Sequence, residues 1–550
     1  MTALVSGIVF ALTAPPVDFH LGVLLGLAGL FLALTPRLDA VGVPQKRRAF
    51  LLGWLWASAA GLVGLRFVPQ VVDRFTPLGL AGGAALLVLL AAFQGLGFGV
   101  GAVLSELLSR RLQWDRRLAF PCGIFLACVW PSVFGWTPAG LLSPWLPLVQ
   151  LADVVGERGV SVLLAGLMAC LAWPLAGRLP WTSPSRGTSA PLPGAESSGA
   201  ESSGAGSSGA PVPSPAPPSR RLTLLSVGLG GVGLMALYGY GALRLASLAE
   251  SPSSSSETLR VALVQPAVDA RLRWEPQERA RLLARLRRLT QGAEAQGAEL
   301  SIWPEAAYPY VLPHRAGEAP RGARAIHRDS VRGPVLFGVL TESPSGEGQY
   351  NAATLVDARG HQQLPQAKLE LLWFGEALPF GQSIPWLRRT FYRAGGLIPG
   401  DEVALLRVTT RGGHEARLGV LNCYEDTLPG VGRRIAQASP NLLVNVTNDG
   451  WFEGSIEPEL HLRLSVMRAI EARRDLVRAV NLGLPAWIDR RGQLRAVGQP
   501  SPAGVLLVTP SLNDESPTFY VKAGDRPLWV LFALACLYSA WRRRTAAATR

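Results

Sequence analysis

The sequence carries apolar runs at residues 2–15, 18–36, 49–67, 78–106, 119–137, 158–177, 222–247 and 527–541, and nothing else in it restricts the fold as much. A hydrocarbon core of about 30 Å takes about 20 apolar residues of helix to cross. Within it every backbone N–H and C=O must find a partner inside the protein. The runs therefore predict about eight transmembrane helices. The first precedes any Lys or Arg, which begin at Arg37, and a second run follows at once. It reads as a membrane helix, not a cleaved secretory signal. Hydrophobic residues make up 49% of the 550 and charged residues only 17%, too apolar for a purely water-soluble chain of this length.

The formal charge of +14 does not indicate nucleic acid, because the arginines gather beside the apolar runs and not along a polar face. With a cytoplasmic N-terminus, the inside loops carry Arg37, Lys46, Arg47, Arg48, Arg110, Arg111, Arg116, Arg117, Arg178, Arg186, Arg220 and Arg221, and the tail adds Arg542, Arg543 and Arg544. The short outside loops and the span ends beside them carry little beyond Arg66, Arg74 and Arg158. That asymmetry follows the positive-inside rule and puts the long polar segment after the seventh run on the extracytoplasmic side.

These signals divide the chain into a membrane domain at 1–247, a second domain at 258–512, an eighth span at 527–541 and a basic cytoplasmic tail at 542–550. Residues 182–219 are rich in Ser, Gly and Pro and repeat the string GAESS; they lack the apolar content to fold and read as a disordered cytoplasmic linker. In the second domain, strand-like runs at 259–267, 299–306, 333–341, 350–360, 416–426 and 441–449 alternate with amphipathic helical patterns at 276–297 and 460–481. Strands alternating with helices and ending in polar residues predict a layered α/β architecture with its site along the strand ends.

Four of the five cysteines, Cys122, Cys128, Cys170 and Cys536, fall in the apolar runs, and Cys423 stands alone in the polar domain. An oxidising compartment would pair a structural cysteine, and this domain offers no partner. Cys423 ends the strand RLGVL and is followed by Tyr424, Glu425 and Asp426, a strand-to-turn junction suited to a nucleophile. The alternative of a small buried hydrophobe stays open. A thiol nucleophile needs a base and a donor for the oxyanion. None of this domain's five histidines, His314, His327, His361, His414 and His461, lies beside a strand-end motif, so solvated or packing roles suit them better. The charged strand-end residues are Glu305 in SIWPEA and Lys368 in QAKLELLWFGEALPF.

Taken together, WPEA, K-x-x-L-x-x-F-G-E and N-C-Y-E resemble the Glu-Lys-Cys triad of the nitrilase, or carbon-nitrogen hydrolase, superfamily. APPVDF, LVQLADVVGERGVS, VQPAVDARLRW, YNAATLVDARG and the stretch from TNDGWFEGSIEPELH to RAIEARRDLVRAVNLG, in that order and with seven spans before and one after, resemble the apolipoprotein N-acyltransferase family over nearly the whole chain. The resemblance implies an αββα sandwich, nitrilase-like and extracytoplasmic, in a multi-pass protein of the bacterial inner membrane. It implies Glu305 as general base, Lys368 as the cation facing the tetrahedral intermediate and Cys423 as nucleophile, with Glu376 and Glu425 as accessory acids. Phospholipid as acyl donor, a diacylated lipoprotein as acceptor and a thioester intermediate follow from it. We expect Trp274, Trp373, Phe374, Tyr424, Asn448 and Trp451 to contact substrate or shape its entrance. An arm of apolar residues, with Leu378, Phe380, Ile384, Pro385, Trp386 and Leu387 among them, dips into the bilayer or else covers the domain's own core. Contacts with membrane lipids, a monomeric state and no nucleic-acid partner complete the expectation. No His, Cys and carboxylate group has the spacing of a metal site, so neither metal nor organic cofactor is expected. Two rivals remain: a membrane-tethered amidase acting on a small C–N substrate, and a transporter whose polar domain is not catalytic.

Overall fold

The computed structural model describes residues 1–35, 45–176, 220–250, 257–269, 275–328, 331–378, 383–390 and 396–548. The predicted linker at 182–219, Trp274 and Phe380 lie outside the described residues. Three described helices are long and apolar enough to cross a membrane: Gly79–Arg111, Ala152–Leu175 and Arg220–Ala249. A fourth span results if Gln45–Gly64 and Val68–Phe75, bent by 59° at their junction, count as one. The first two predicted spans are shorter than their apolar runs. Thr2–Ala11 has 10 residues and Leu21–Leu34 has 14, about 15 and 21 Å at 1.5 Å per residue. Small residues let the helices approach closely. A side chain on Gly101 would sit 2.2 Å from the carbonyl oxygen of Gly123, so the contact between Gly79–Arg111 and Arg116–Val129 requires glycine.

The polar part forms two sheets. In the first, Val261–Gln265 pairs parallel with Leu300–Trp303, which pairs parallel with Val335–Glu342; Gly504–Val508 and Gln349–Val356 flank them antiparallel. In the second, Glu415–Asn422, Leu442–Thr447 and Leu476–Val480 run parallel, flanked antiparallel by Leu406–Thr409 and Ala486–Ile488. Alternation along a strand sends successive side chains to opposite faces. Val261 and Leu263 pack against Leu418, Val420, Val444 and Val477 of the other sheet, while Val264 packs outward with Leu282, Leu283 and Leu286 of the helix Pro276–Ala295. Helices Pro429–Gln437 and Glu457–Ala472 cover the second sheet on its outer face. The result is an αββα sandwich.

The segment 460–481 departs from its predicted single helix. Its helix ends at Ala472, where Arg473 turns left-handed (φ 51°), and Leu476–Val480 becomes a fully buried strand. The register with Leu443–Thr447 explains the switch: Val477 and Ala479 gain more from lying between the two sheets than from extending the helix.

The outer helical layer merges with the apolar helices into one core, in which Leu460, Leu464 and Met467 join Ala139, Leu141, Val160 and Leu164. Buried charges cross this boundary. Arg473 binds the Asp153 carboxylate at 2.9 Å and donates to Gln150, and Arg468 pairs with Glu157 and Glu471, all three at most 3% exposed. Further out, Arg74 pairs with Asp269 and Glu453, and Arg463 with Asp18, so the loops around 18 and 74 share one side with the α/β part. Removing Arg468 strands two buried carboxylates, at a cost of about 3–5 kcal/mol. Arg468→Met is therefore expected to lower the melting temperature of the detergent-purified protein markedly. Adding Glu157→Gln and Glu471→Gln should restore most of it; an unchanged melting temperature in the single variant contradicts the packing described.

Candidate active site

Cys423, Glu305 and Lys368 come from three separate turns that meet above the two sheets. Glu305 follows the strand Leu300–Trp303 in a turn whose backbone lies directly on Gly338. Any side chain there would come within 2.4 Å of the Ala306 nitrogen and 2.6 Å of the Glu305 Cα, so glycine at 338 fixes how far Glu305 stands off the sheet. Lys368 follows the two-residue strand Gln366–Ala367, and its N–H donates to the Asn351 carbonyl at 2.8 Å. Cys423 follows Glu415–Asn422 and opens a short 3-10 turn with φ 54°, a left-handed conformation that costs a non-glycine residue of order 1–3 kcal/mol and gathers at functional sites.

The Lys368 ammonium is 1% exposed and lies 2.7 Å from Glu376 Oε2 and 3.5 Å from Glu305 Oε1. Asn351 Nδ2 donates to Glu305 Oε1 and Glu376 Oε1, each at 2.7 Å, so one amide holds both carboxylates at a fixed separation. Burial alone would drive the proton off Lys368, but the Glu376 and Glu305 carboxylates outweigh it and hold the ammonium well above its ordinary pKa. Tyr424 closes the site with its ring 5.2 Å from the ammonium.

Glu425 joins the cysteine turn to the lysine turn. Its Oε2 accepts from the Asn422 N–H at 2.7 Å, and its Oε1 from the N–H groups of Leu369 and Glu370 at 2.6 and 3.0 Å. Burial raises its pKa to about 7, with Lys368 and these N–H groups pulling downward. Burial also pushes the Cys423 thiol well above its ordinary pKa, and Glu305 adds to this while Lys368 and a hydrogen bond with Thr447 oppose it. The resting site therefore holds a thiol beside a carboxylate and an ammonium. A thiol in such a setting can attack a carbonyl only as its proton passes to a base.

The thiol lies in a small pocket of about 30 Å³ with Phe67, Phe134, Trp136, Leu372, Leu460 and Leu464 among its walls. Next to it a cavity of about 400 Å³ shares Phe134, Gly135, Trp136 and Tyr424 and is walled further by Trp56, Phe98, Trp130, Leu371 and Trp373. The path to Cys423 is thus built jointly by the apolar helices and the α/β part.

Of the other predicted contacts, Trp373 and Phe374 are exposed, and Trp373 meets Phe93 with ring centroids 6.3 Å apart. Ile384 and Trp386 are exposed too and do not cover the domain's core. Trp451 packs against Phe75, with ring centroids 4.4 Å apart and the planes tilted by 46°. Asn448 is held in the scaffold, accepting from Asn481 Nδ2 at 2.9 Å.

Two features escaped the sequence reading. Asn351 sits in the YNAATL strand, where a lone amide among apolar residues was the available signal. His461 is neither solvated nor mere packing. It is 3% exposed, its Nε2 lies 2.8 Å from Asp426 and its Nδ1 3.1 Å from Asp449, and with Asp449 and Glu457 it forms a compact group. Both ring nitrogens face carboxylate oxygens, so both carry hydrogen and neither has a lone pair free for a metal ion.

Residues 260–517 match the carbon-nitrogen hydrolase family and residues 6–171 the apolipoprotein N-acyltransferase N-terminal domain. The apolipoprotein N-acyltransferase of Geobacter metallireducens is 29% identical, with 99% of this chain and 96% of that protein covered. The enzyme of that name from Allorhizobium ampelinum is 27% identical, with 97% and 94% covered. The crystal structure of an amidase from Nesterenkonia sp. is 20% identical, with 50% of this chain and 96% of that one covered and a TM-score of 0.33.

Proposed function

The chain belongs to the apolipoprotein N-acyltransferase family, and from that membership we propose that it moves an acyl chain from a membrane phospholipid to the α-amino group of the N-terminal diacylglyceryl-cysteine of lipoproteins. Glu305 takes the Cys423 proton as the sulfur attacks the ester carbonyl. Lys368 faces the oxyanion, and the protonated Glu305 returns its proton to the departing lysophospholipid oxygen. The acceptor amine then attacks the thioester, Glu305 takes its proton, and the amide leaves with Cys423 restored as a thiol. This is a ping-pong cycle in which one carboxylate serves twice. Glu376 and Asn351 hold Lys368 and Glu305 in place, and no cofactor enters.

The observation that carries the reading is the apolar antechamber on Cys423, walled from both parts of the chain. A small polar amide has no need of it, whereas a lipid chain reaches the thiol through it without crossing water. We place the α/β part, 258–512, on the periplasmic side of the inner membrane, with about eight helices at 1–247 and 527–541, the linker at 182–219 and tail at 542–550 inside, and the enzyme acting as a monomer. In the test, membranes containing the protein are given phospholipid and a diacylated lipopeptide. Triacylated product with release of lysophospholipid is expected. Release of free fatty acid without amide formation, or turnover of small amides alone, contradicts the proposal.

A further inference from the structure

The reaction has a second difficulty that Glu305, Lys368 and Cys423 leave open. An α-amine near pKa 8 arrives at neutral pH largely as an ammonium, which has no lone pair, so one proton must leave before attack. Glu457, at the start of the helix Glu457–Ala472, is 8% exposed and lines the same pocket as Cys423. Its Oε2 is buried without a hydrogen-bond partner among the described residues, as is Asp449 Oδ2. Facing Glu457 are Asp449 from the turn after Leu442–Thr447, His461 from its own helix at 3.9 Å, Asp426 from the turn after Cys423 and Arg478 from the strand Leu476–Val480. Asp426 pairs with both Arg478 and His461. Among these described groups, three carboxyl groups stand against two cations, so the site holds one more positive charge, either a proton on Glu457 when empty or a bound ammonium in its place. The pocket's volume of about 30 Å³ admits a group the size of water, which fits an ammonium but not its lipid substituents.

We propose that Glu457, backed by Asp449 and His461, is the subsite that receives the acceptor's primary ammonium and takes its first proton. This rests on the reading of the acceptor as an α-amine. The step is R–NH3⁺ with the Glu457 carboxylate giving R–NH2 and the carboxylic acid, whose proton then passes to solvent; Glu305 handles the second proton during attack. Burial and the Asp449 charge raise the empty Glu457 carboxyl to about 8, so near neutrality it holds a proton that it gives up to solvent as the ammonium enters beside it; its value lies near the amine's own, so the exchange that follows costs little in either direction.

The test uses the full-length protein in phospholipid–detergent micelles and measures separately the acyl-enzyme formed from phospholipid, its transfer to a diacylated lipopeptide and its discharge by hydroxylamine, which is uncharged at pH 7. In Glu457→Gln, transfer to the lipopeptide is expected to fall at least tenfold more than acylation does at pH 7, with the deficit shrinking to within about threefold at pH 9, where the amine is neutral. Glu457→Asp should recover part of the pH 7 rate. Equal transfer by wild type and Glu457→Gln at every pH overturns the inference. So does a pH-independent loss shared by hydroxylamine discharge, which marks a structural role, or loss of wild-type transfer on adding EDTA, which marks a metal ion. Wild type that forms no acyl-enzyme at all contradicts the proposed function itself, an outcome visible before any Glu457 variant is made.

Discussion

Replacing Cys423 by alanine is expected to reduce acyl transfer to background while the protein accumulates and melts as wild type does. The proposed route has no uncatalysed bypass, since the acyl chain must leave the donor before the acceptor amine meets it. Cys423 is half-buried at the end of a strand, and its turn is held by Glu425 and by Asn445, whose Nδ2 donates to the Cys423 carbonyl at 2.8 Å; neither contact uses the sulfur. Serine should be nearly as inactive. A carboxylate base can take a proton from a thiol during attack, but an alkoxide is far harder to form. Activity measured with a diacylated lipopeptide decides the matter, and substantial turnover by Cys423→Ala contradicts the role given to it.

Lys368→Met is expected to lose about 10³-fold in kcat, in keeping with about 10²–10³ for removing one oxyanion donor. It should also be less stable, because Glu305 and Glu376 then share a buried site without their ammonium, and breaking such a pair costs about 3–5 kcal/mol. The two effects separate cleanly. Adding Glu376→Gln removes the stranded charge and should recover much of the melting temperature, yet none of the rate. A double variant that regains activity along with stability shows Lys368 to be structural only. Glu305→Gln keeps the shape and loses the base, for about 10²–10⁴ in rate.

What the sequence made legible is what local pattern controls. Apolar β-branched runs ending in polar residues located the strands before Glu305 and Cys423, and the lone polar cysteine drew attention to its own turn. The strand Leu476–Val480 was hidden because RRDLVRAV continues a helical period; only pairing with Leu442–Thr447 turns it extended. Helix length was hidden for a similar reason. Thr2–Ala11 stops within an apolar run that hydropathy alone carries to residue 15. Glu376 entered only as an accessory acid that the resemblance implies, and its contact with the ammonium, closer than that of Glu305, depends on how the loop folds back. His461 looked unremarkable because its partners, Asp426 and Asp449, come from two different strand ends, and long-range charge pairing leaves no periodic trace.

In the proposed cycle Cys423 carries the acyl chain. Incubating the full-length protein with phospholipid labelled in its acyl chains, without acceptor, tests it most directly. The ping-pong cycle predicts label bound to the peptide containing Cys423, released by neutral hydroxylamine and discharged as amide when a diacylated lipopeptide is added. It predicts no label in Cys423→Ala and little in Glu305→Gln or Lys368→Met. Full labelling of Cys423→Ala, or amide formed by wild type without any labelled intermediate, would contradict it.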